Sequence, residues 1–178
     1  MILSDKKILE CIKNGEIVIT PFEPVNMGSN SYDVHLSQHF AQYVDDVLDA
    51  KKHNQITHFE IPPEGFVLQP GQLYLGATAE YTETHKHVPF LEGKSSTGRL
   101  GIDIHATAGK GDVGFCGFWT LEISSSKPVR VYAGMPIGQL IYYVVDGDVE
   151  NLYSKKQNAK YSHQEAKPKE SMMWKNKF

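Results

Sequence analysis

After its first fifteen residues this chain breaks into short extended runs, most of them closed by a Gly- or Pro-containing turn. Glu16 to Thr20 ends at Pro21. Tyr32 to Leu36, Phe40 to Val44, Phe66 to Leu68 and Leu73 to Thr78 follow, with Pro62-Pro63-Glu64-Gly65 and Pro70-Gly71 as punctuation. Phe118 to Ile123, Val129 to Tyr132 and Gln139 to Val145 complete the series. Runs this short cannot bury their apolar faces alone. They must pair into a sandwich, a jelly roll or a barrel. One helix precedes them. Ser4 is placed to cap it, Ile8, Leu9 and Ile12 share a face, and Gly15 stops it.

A chain of 178 residues fits one domain, 1–178, with 40% hydrophobic and 22% charged residues. The net charge of -3 gives no electrostatic case for nucleic acid or an anionic membrane as partner. Cys11 and Cys116 do not make a disulfide framework, and no Cys-x-x-Cys pair suggests zinc. Charges at Asp5, Lys6 and Lys7 stand where a signal peptide needs its apolar run, and no stretch reaches the ~18 apolar residues of a membrane span. The expectation is a soluble, cytoplasmic protein. From about Tyr153 the composition turns to Lys, Gln, Ser and His, so 153–178 reads as a mobile C-terminal arm.

Chemistry concentrates in two segments. Gly93-Lys94-Ser95-Ser96-Thr97-Gly98-Arg99-Leu100-Gly101 offers hydroxyls, glycine-exposed amides and two cations, the donors a polyphosphate requires. It is not a P-loop, because Val88 stands where the first glycine of that motif belongs. The second segment is a glycine-dense stretch, Thr107 to Gly117, holding Asp112. It leads into Phe118-Trp119-Thr120-Leu121-Glu122-Ile123. Glu122 is a carboxylate among apolar neighbours, a type of group that serves as general base and acid. Alternation alone does not decide which face of that strand is covered.

These segments resemble the signature of dCTP deaminases. That signature is a Gly-[Arg/Lys]-Ser-Ser-x-x-Arg-Leu-Gly loop, a His-x-Thr-Ala-x-x-x-Asp-x-Gly-[Phe/Trp]-x-Gly turn and a [Thr/Val]-Leu-Glu strand. Met1-Ile-Leu-Ser-Asp, Ser31-Tyr32-Asp33-Val34-His35-Leu36, Gly134-Met135-Pro136-Ile137-Gly138-Gln139-Leu140 and the tail positions Tyr153, Ala159-Lys160-Tyr161 and Gln164 extend the likeness along nearly the whole chain.

The resemblance implies a mostly β, dUTPase-like distorted jelly-roll or β-barrel with a short N-terminal helix. Its arm would close over the site. It implies Glu122 as proton shuttle, with Ser95 and Arg99 holding the attacking water. Lys94, Ser96, Thr97 and Gly98 would line the triphosphate, and Asp112 would take the deoxyribose 3'-hydroxyl. The backbone at Thr120 and Leu121 would read the base. Tyr153, Lys160 and Gln164 would come from the arm. Mg²⁺ would arrive on the phosphates and not in a protein cage, so no residue is expected as a metal ligand. Zinc is not expected, since zinc deaminases join a His-x-Glu to a Pro-Cys-x-x-Cys and this chain has no such combination. The family forms homotrimers with sites between subunits. Its nucleotides are dCTP and dUTP, and dTTP is a candidate inhibitor.

Gly109 stands where single-activity deaminases carry a bulky His. Together with Gln139 it is similar to relatives that hydrolyse dUTP onward to dUMP and pyrophosphate. The resemblance leaves both outcomes open. Lys94 replaces the usual Arg, a point charge in place of a fork. Val113 and Gly111 replace Pro and an aliphatic residue, from which a softer loop is expected around Asp112.

Other residues carry plainer readings. His105 reads equally as a general base or ligand and as a hydrogen-bonded core residue, Cys116 reads as packing, and Asp33 with His35 as structural. Two alternative functions stand beside deamination. One is dUTP diphosphatase activity alone, against which the Leu-Glu strand speaks. The other is a non-catalytic nucleotide-binding regulator, against which Ser95, Arg99 and Glu122 together speak.

Overall fold

The computed structural model describes residues 1–177. Helix α1 (Asp5–Lys13) begins where Ser4 Oγ accepts from the Lys7 N–H. Its inward face runs through Ile8, Cys11 and the half-buried Ile12. Leu9 corrects the sequence expectation. It lies one position off that face and stays 45% exposed, while Cys11 takes the buried place.

Twelve strands follow: β1 (Ile17–Thr20), β2 (Tyr32–Tyr43), β3 (Ile56–Glu60), β4 (Phe66–Leu68), β5 (Tyr74–Thr78), β6 (Tyr81–Thr84), β7 (His87–Gly93), β8 (Ile102–Asp103), β9 (Cys116–Gly117), β10 (Thr120–Ser125), β11 (Val129–Val131) and β12 (Pro136–Val144). A single helical turn, α2 (Ser95–Arg99), separates β7 from β8. The main sheet runs β7-β12-β2-β5-β10-β8, with β3 paired to the far half of β2. β1-β6-β9 and β11-β4 are smaller sheets. The fold is thus mostly β, with a barrel-like main sheet around one core.

The runs at 32–36 and 40–44 are one strand. A register shift between Leu36 and Phe40 lets its first half pair with β12 and its second half with β3. Tyr32, Val34, Leu36 and Phe40 from β2 meet Leu121 and Ile123 from β10, and Ile137 and Leu140 from β12, all fully buried. At ~25 cal/mol per Å² of apolar surface, such a layer supplies the main drive for folding.

β6 and β7 escape a hydrophobicity reading because their buried positions include polar residues. Thr82 Oγ1 accepts from Trp119 Nε1 at 2.9 Å, and Thr84 Oγ1 donates to the His87 carbonyl at 2.8 Å. Once satisfied, these hydroxyls are cheap to bury.

The chain beyond Val145 lies against the body through backbone hydrogen bonds. Tyr153 N–H donates to Val113 O at 2.8 Å and His163 N–H to Cys116 O at 2.7 Å. Phe118 N–H donates back to Gln164 O at 3.1 Å. Among the described residues, no helix is long and apolar enough to cross a membrane.

Candidate active site

β10 settles which way the Thr-Leu-Glu strand faces. Leu121 and Ile123 are fully buried, so Thr120 and Glu122 point to the opposite side. That side opens into a cavity of about 510 Å³. Glu122, Thr120 and Asp112 line it with Phe115, Phe118 and Trp119, and the arm contributes Tyr153, Tyr161, Gln164 and the 169–171 segment.

Glu122 is half-buried, and its carboxylate forms no hydrogen bond or ion pair among the described residues. Its neighbours on the cavity wall are already paired. Thr120 Oγ1 accepts from Gln164 Nε2 at 2.5 Å and from the Lys169 N–H at 3.0 Å. Asp112 Oδ1 accepts from Lys110 Nζ at 2.7 Å, and Lys156 Nζ stands 3.9 Å from its other oxygen. Tyr43 Oη accepts from the Ser171 N–H at 3.0 Å. Burial, with smaller help from the charges of Glu170 and Glu122, pushes the Tyr43 phenol above its ordinary range. Tyr153 is likewise raised by burial, and its oxygen accepts from the Tyr161 N–H at 3.0 Å. A lone carboxylate on an otherwise satisfied, partly apolar wall is free to take and return a proton.

The other half of the expected site lies elsewhere in the chain. Lys94, Ser95, Gly98 and Gln139 line a separate cavity of about 490 Å³, with Glu92 and His105. Lys94 Nζ is ion-paired with Asp33 on β2, so Asp33 touches this loop directly. Gln139 Nε2 donates to Gly93 O at 3.3 Å. Ser96 and Arg99 are exposed on α2. Thr97 faces inward. Its hydroxyl donates to Lys94 O at 2.7 Å and accepts from the Lys94 N–H at 3.1 Å, so it shapes the loop and does not offer a free donor. Lys160 does not reach either cavity, because its ammonium bonds Asn176 Oδ1. Leu121 can offer a ligand only its backbone, since its side chain is in the core.

The loop before Asp112 is tied to β7 by backbone hydrogen bonds. Residues 109–111 run along the edge of β7: Leu91 N–H donates to Gly109 O at 2.7 Å and Gly111 N–H to Pro89 O at 2.8 Å. A Cβ at Gly109 would sit 2.7 Å from Leu91 O and 2.8 Å from His105 Nε2. One at Gly111 would sit 2.6 Å from the Trp119 ring. A side chain at either position would require the strand or the indole to shift.

Residues 2–145 match the family model described as dCTP deaminase-like. The chain belongs to the dCTP deaminase-like family. Among its curated relatives, "dCTP deaminase, dUMP-forming" of Clostridium acetobutylicum is 51% identical over 156 residues, 88% of this chain and 90% of that one. The protein of the same name from Cytophaga hutchinsonii is 48% identical over 163 residues, covering 92% and 91%. Among solved structures, the 2'-deoxycytidine 5'-triphosphate deaminase of Agrobacterium tumefaciens superposes with a TM-score of 0.65 at 20% identity. The match covers 81% of this chain and 48% of that one, a likeness of fold.

Tyr43, Phe118, Tyr161 and the Lys169-Glu170-Ser171 segment were not expected at the site of this family member, yet they wall the cavity. Tyr161 lies within the tail likeness, which gave it no role, and no motif marks the others. They arrive from the end of β2, the turn before β10 and the arm.

Proposed function

We propose that this chain deaminates dCTP to dUTP and carries the dUTP on to dUMP and pyrophosphate. The observation that carries the reading is the near-half identity, along about nine-tenths of both chains, to enzymes named "dCTP deaminase, dUMP-forming". The unpaired carboxylate of Glu122 supplies the chemistry. Water adds to C4 of cytosine while Glu122 takes its proton. Glu122 passes that proton to N3, then takes the proton of the new C4 hydroxyl and delivers it to the amino group, so that the C4 carbonyl forms as the C4–N bond breaks and ammonia leaves. In the second step water attacks the α-phosphorus, and pyrophosphate departs from dUMP.

The two cavities support an assembly in which the Lys94–Arg99 loop of one subunit meets Glu122 of another, as in a closed homotrimer. Ser95 and Arg99 then hold the water, and Lys94 and Ser96 meet phosphate beside Gly98, whose own N–H donates to Lys94 O at 2.9 Å. Mg²⁺ arriving with the nucleotide would supply charge neutralisation of the triphosphate, with no protein side chain assigned to hold it. The ligand-type side-chain clusters of the described residues lie outside both cavities.

The test is one incubation with dCTP and Mg²⁺, resolving ammonia, dUTP, dUMP and pyrophosphate over time. Ammonia matched by dUMP and pyrophosphate is expected. Accumulating dUTP would restrict the chain to deamination. Cleavage of added dUTP without ammonia from dCTP would make it a diphosphatase.

A further inference from the structure

Three side chains distant in sequence converge where α1, β1 and β7 meet. Cys11 is on α1, Glu16 precedes β1, and His87 opens β7. The Cys11 sulfur, a Glu16 carboxylate oxygen and a ring nitrogen of His87 all lie within 4.8 Å of one another. Backbone bonds hold the arrangement: Glu16 N–H donates to Cys11 O at 2.8 Å, and His85 N–H donates to Glu16 O at 2.9 Å.

A second observation marks the cluster as built. His87 is only 7% exposed, and its Nδ1 is sealed from solvent with no hydrogen-bond partner. A buried imidazole nitrogen normally has a partner. Cys11 is fully buried, and only Glu16 keeps a link to the surface, through Lys86 Nζ at 2.5 Å. Lys86 is exposed, and the Glu16 carboxylate also accepts from the Cys11 S–H, a contact in which a cation would take the place of the proton.

We propose that Cys11, Glu16 and His87 form a binding site for a Zn²⁺-class divalent cation that clamps α1 to the β6–β7 hairpin. Thiolate, imidazole and carboxylate are the donor set such a cation takes, and three protein ligands leave a fourth position for water. On binding, the Cys11 S–H proton passes to solvent and an S–metal bond forms, with no change of oxidation state. None of the three residues lines the Glu122 cavity, so the site is separate from the proposed deamination. A similar trio, Glu83, His85 and Cys116, is the natural control. Unlike the first trio it holds no orphaned buried nitrogen: His85 Nε2 meets Glu83 Oε2 at 2.9 Å, Tyr81 Oη meets Glu83 Oε1 at 2.7 Å, and Cys116 Sγ meets Gly114 O at 3.6 Å.

The experiment titrates the full chain, without nucleotide, with Co²⁺ and then Zn²⁺. Expected is one equivalent of Co²⁺ with a thiolate-to-cobalt charge-transfer absorption, displaced by Zn²⁺. His87→Gln and Cys11→Ser should each abolish that absorption and weaken Zn²⁺ by more than the ~100-fold that losing an outer partner can cost. Cys116→Ser should leave it intact. Lys86→Met should tighten binding, because a competing cation is gone. Circular dichroism checks that each variant folds. Should the buried Cys11→Ser fail, His87→Gln and Lys86→Met decide. No charge-transfer band at one equivalent, a band that survives Cys11→Ser or His87→Gln, or one lost in Cys116→Ser would overturn the assignment.

Discussion

Gln164 reaches from the C-terminal arm to Thr120, its Nε2 donating to Thr120 Oγ1 at 2.5 Å, two residues before Glu122 on the same face of β10. Gly117 makes that approach possible. A Cβ there would lie 2.7 Å from the Gln164 backbone nitrogen, and its φ of +144° disfavours any other residue. The arm is therefore pinned beside Glu122. Gln164→Ala removes one hydrogen bond, worth about 1 kcal/mol. The expected result is a KM for dCTP raised several-fold, a smaller change in kcat, and faster hydrogen exchange across residues 160–172.

Gly109 gives a stability prediction. Its missing side chain makes room for Leu91 O, a backbone atom that cannot step aside. Gly109→Ala should lose about 1–3 kcal/mol of stability by overpacking, read as a lower midpoint in urea. An unchanged midpoint would show that the β7 edge yields, and that Gly109 is not required by space.

Much of this was legible in the chain. The Ser4 cap and the helix that follows could be read, as could β4 and β11 to within a residue. Glu122 stood out by its Thr-Leu-Glu setting. The face it occupies did not, because Trp119 and Leu121 fit either side until the core is seen. β6 and β7 were invisible because Thr82, Thr84 and His87 are polar residues whose burial depends on partners elsewhere. The cavity walls from Tyr43, Tyr161 and 169–171 depend on where the arm folds back. The spacing of Cys11, Glu16 and His87 belongs to no motif, so only packing brings them together.

Tyr142 carries the pH prediction. Its hydroxyl is buried without a hydrogen-bond partner, and burial pushes its pKa far above the ordinary value near 10. The folded chain keeps the phenol neutral while the unfolded chain ionises it, so stability should fall as pH rises through about 10. Tyr142→Phe removes an unsatisfied group whose desolvation costs about 1–3 kcal/mol. The variant should match or exceed the parent at pH 7 and lose less at alkaline pH, measured by thermal unfolding. A large destabilisation at pH 7 would mean that the hydroxyl has a partner.

Separate cavities for Ser95 and Glu122 make subunit mixing informative. Ser95→Ala and Glu122→Gln should each be nearly inactive alone. If every site takes Ser95 from one subunit and Glu122 from its neighbour, equal mixing and reassembly restores about a quarter of the sites. No recovery after verified exchange would place both groups in one chain.

The most direct measurement is the rate of ammonia release from dCTP by Glu122→Gln beside the parent, with nucleotide binding measured on both. Gln keeps the size of the side chain and removes its basicity. Binding should be retained while ammonia release falls by at least ~100-fold, the usual cost of a missing general base. Ammonia release at the parent's rate would contradict the assignment of Glu122 as the proton carrier.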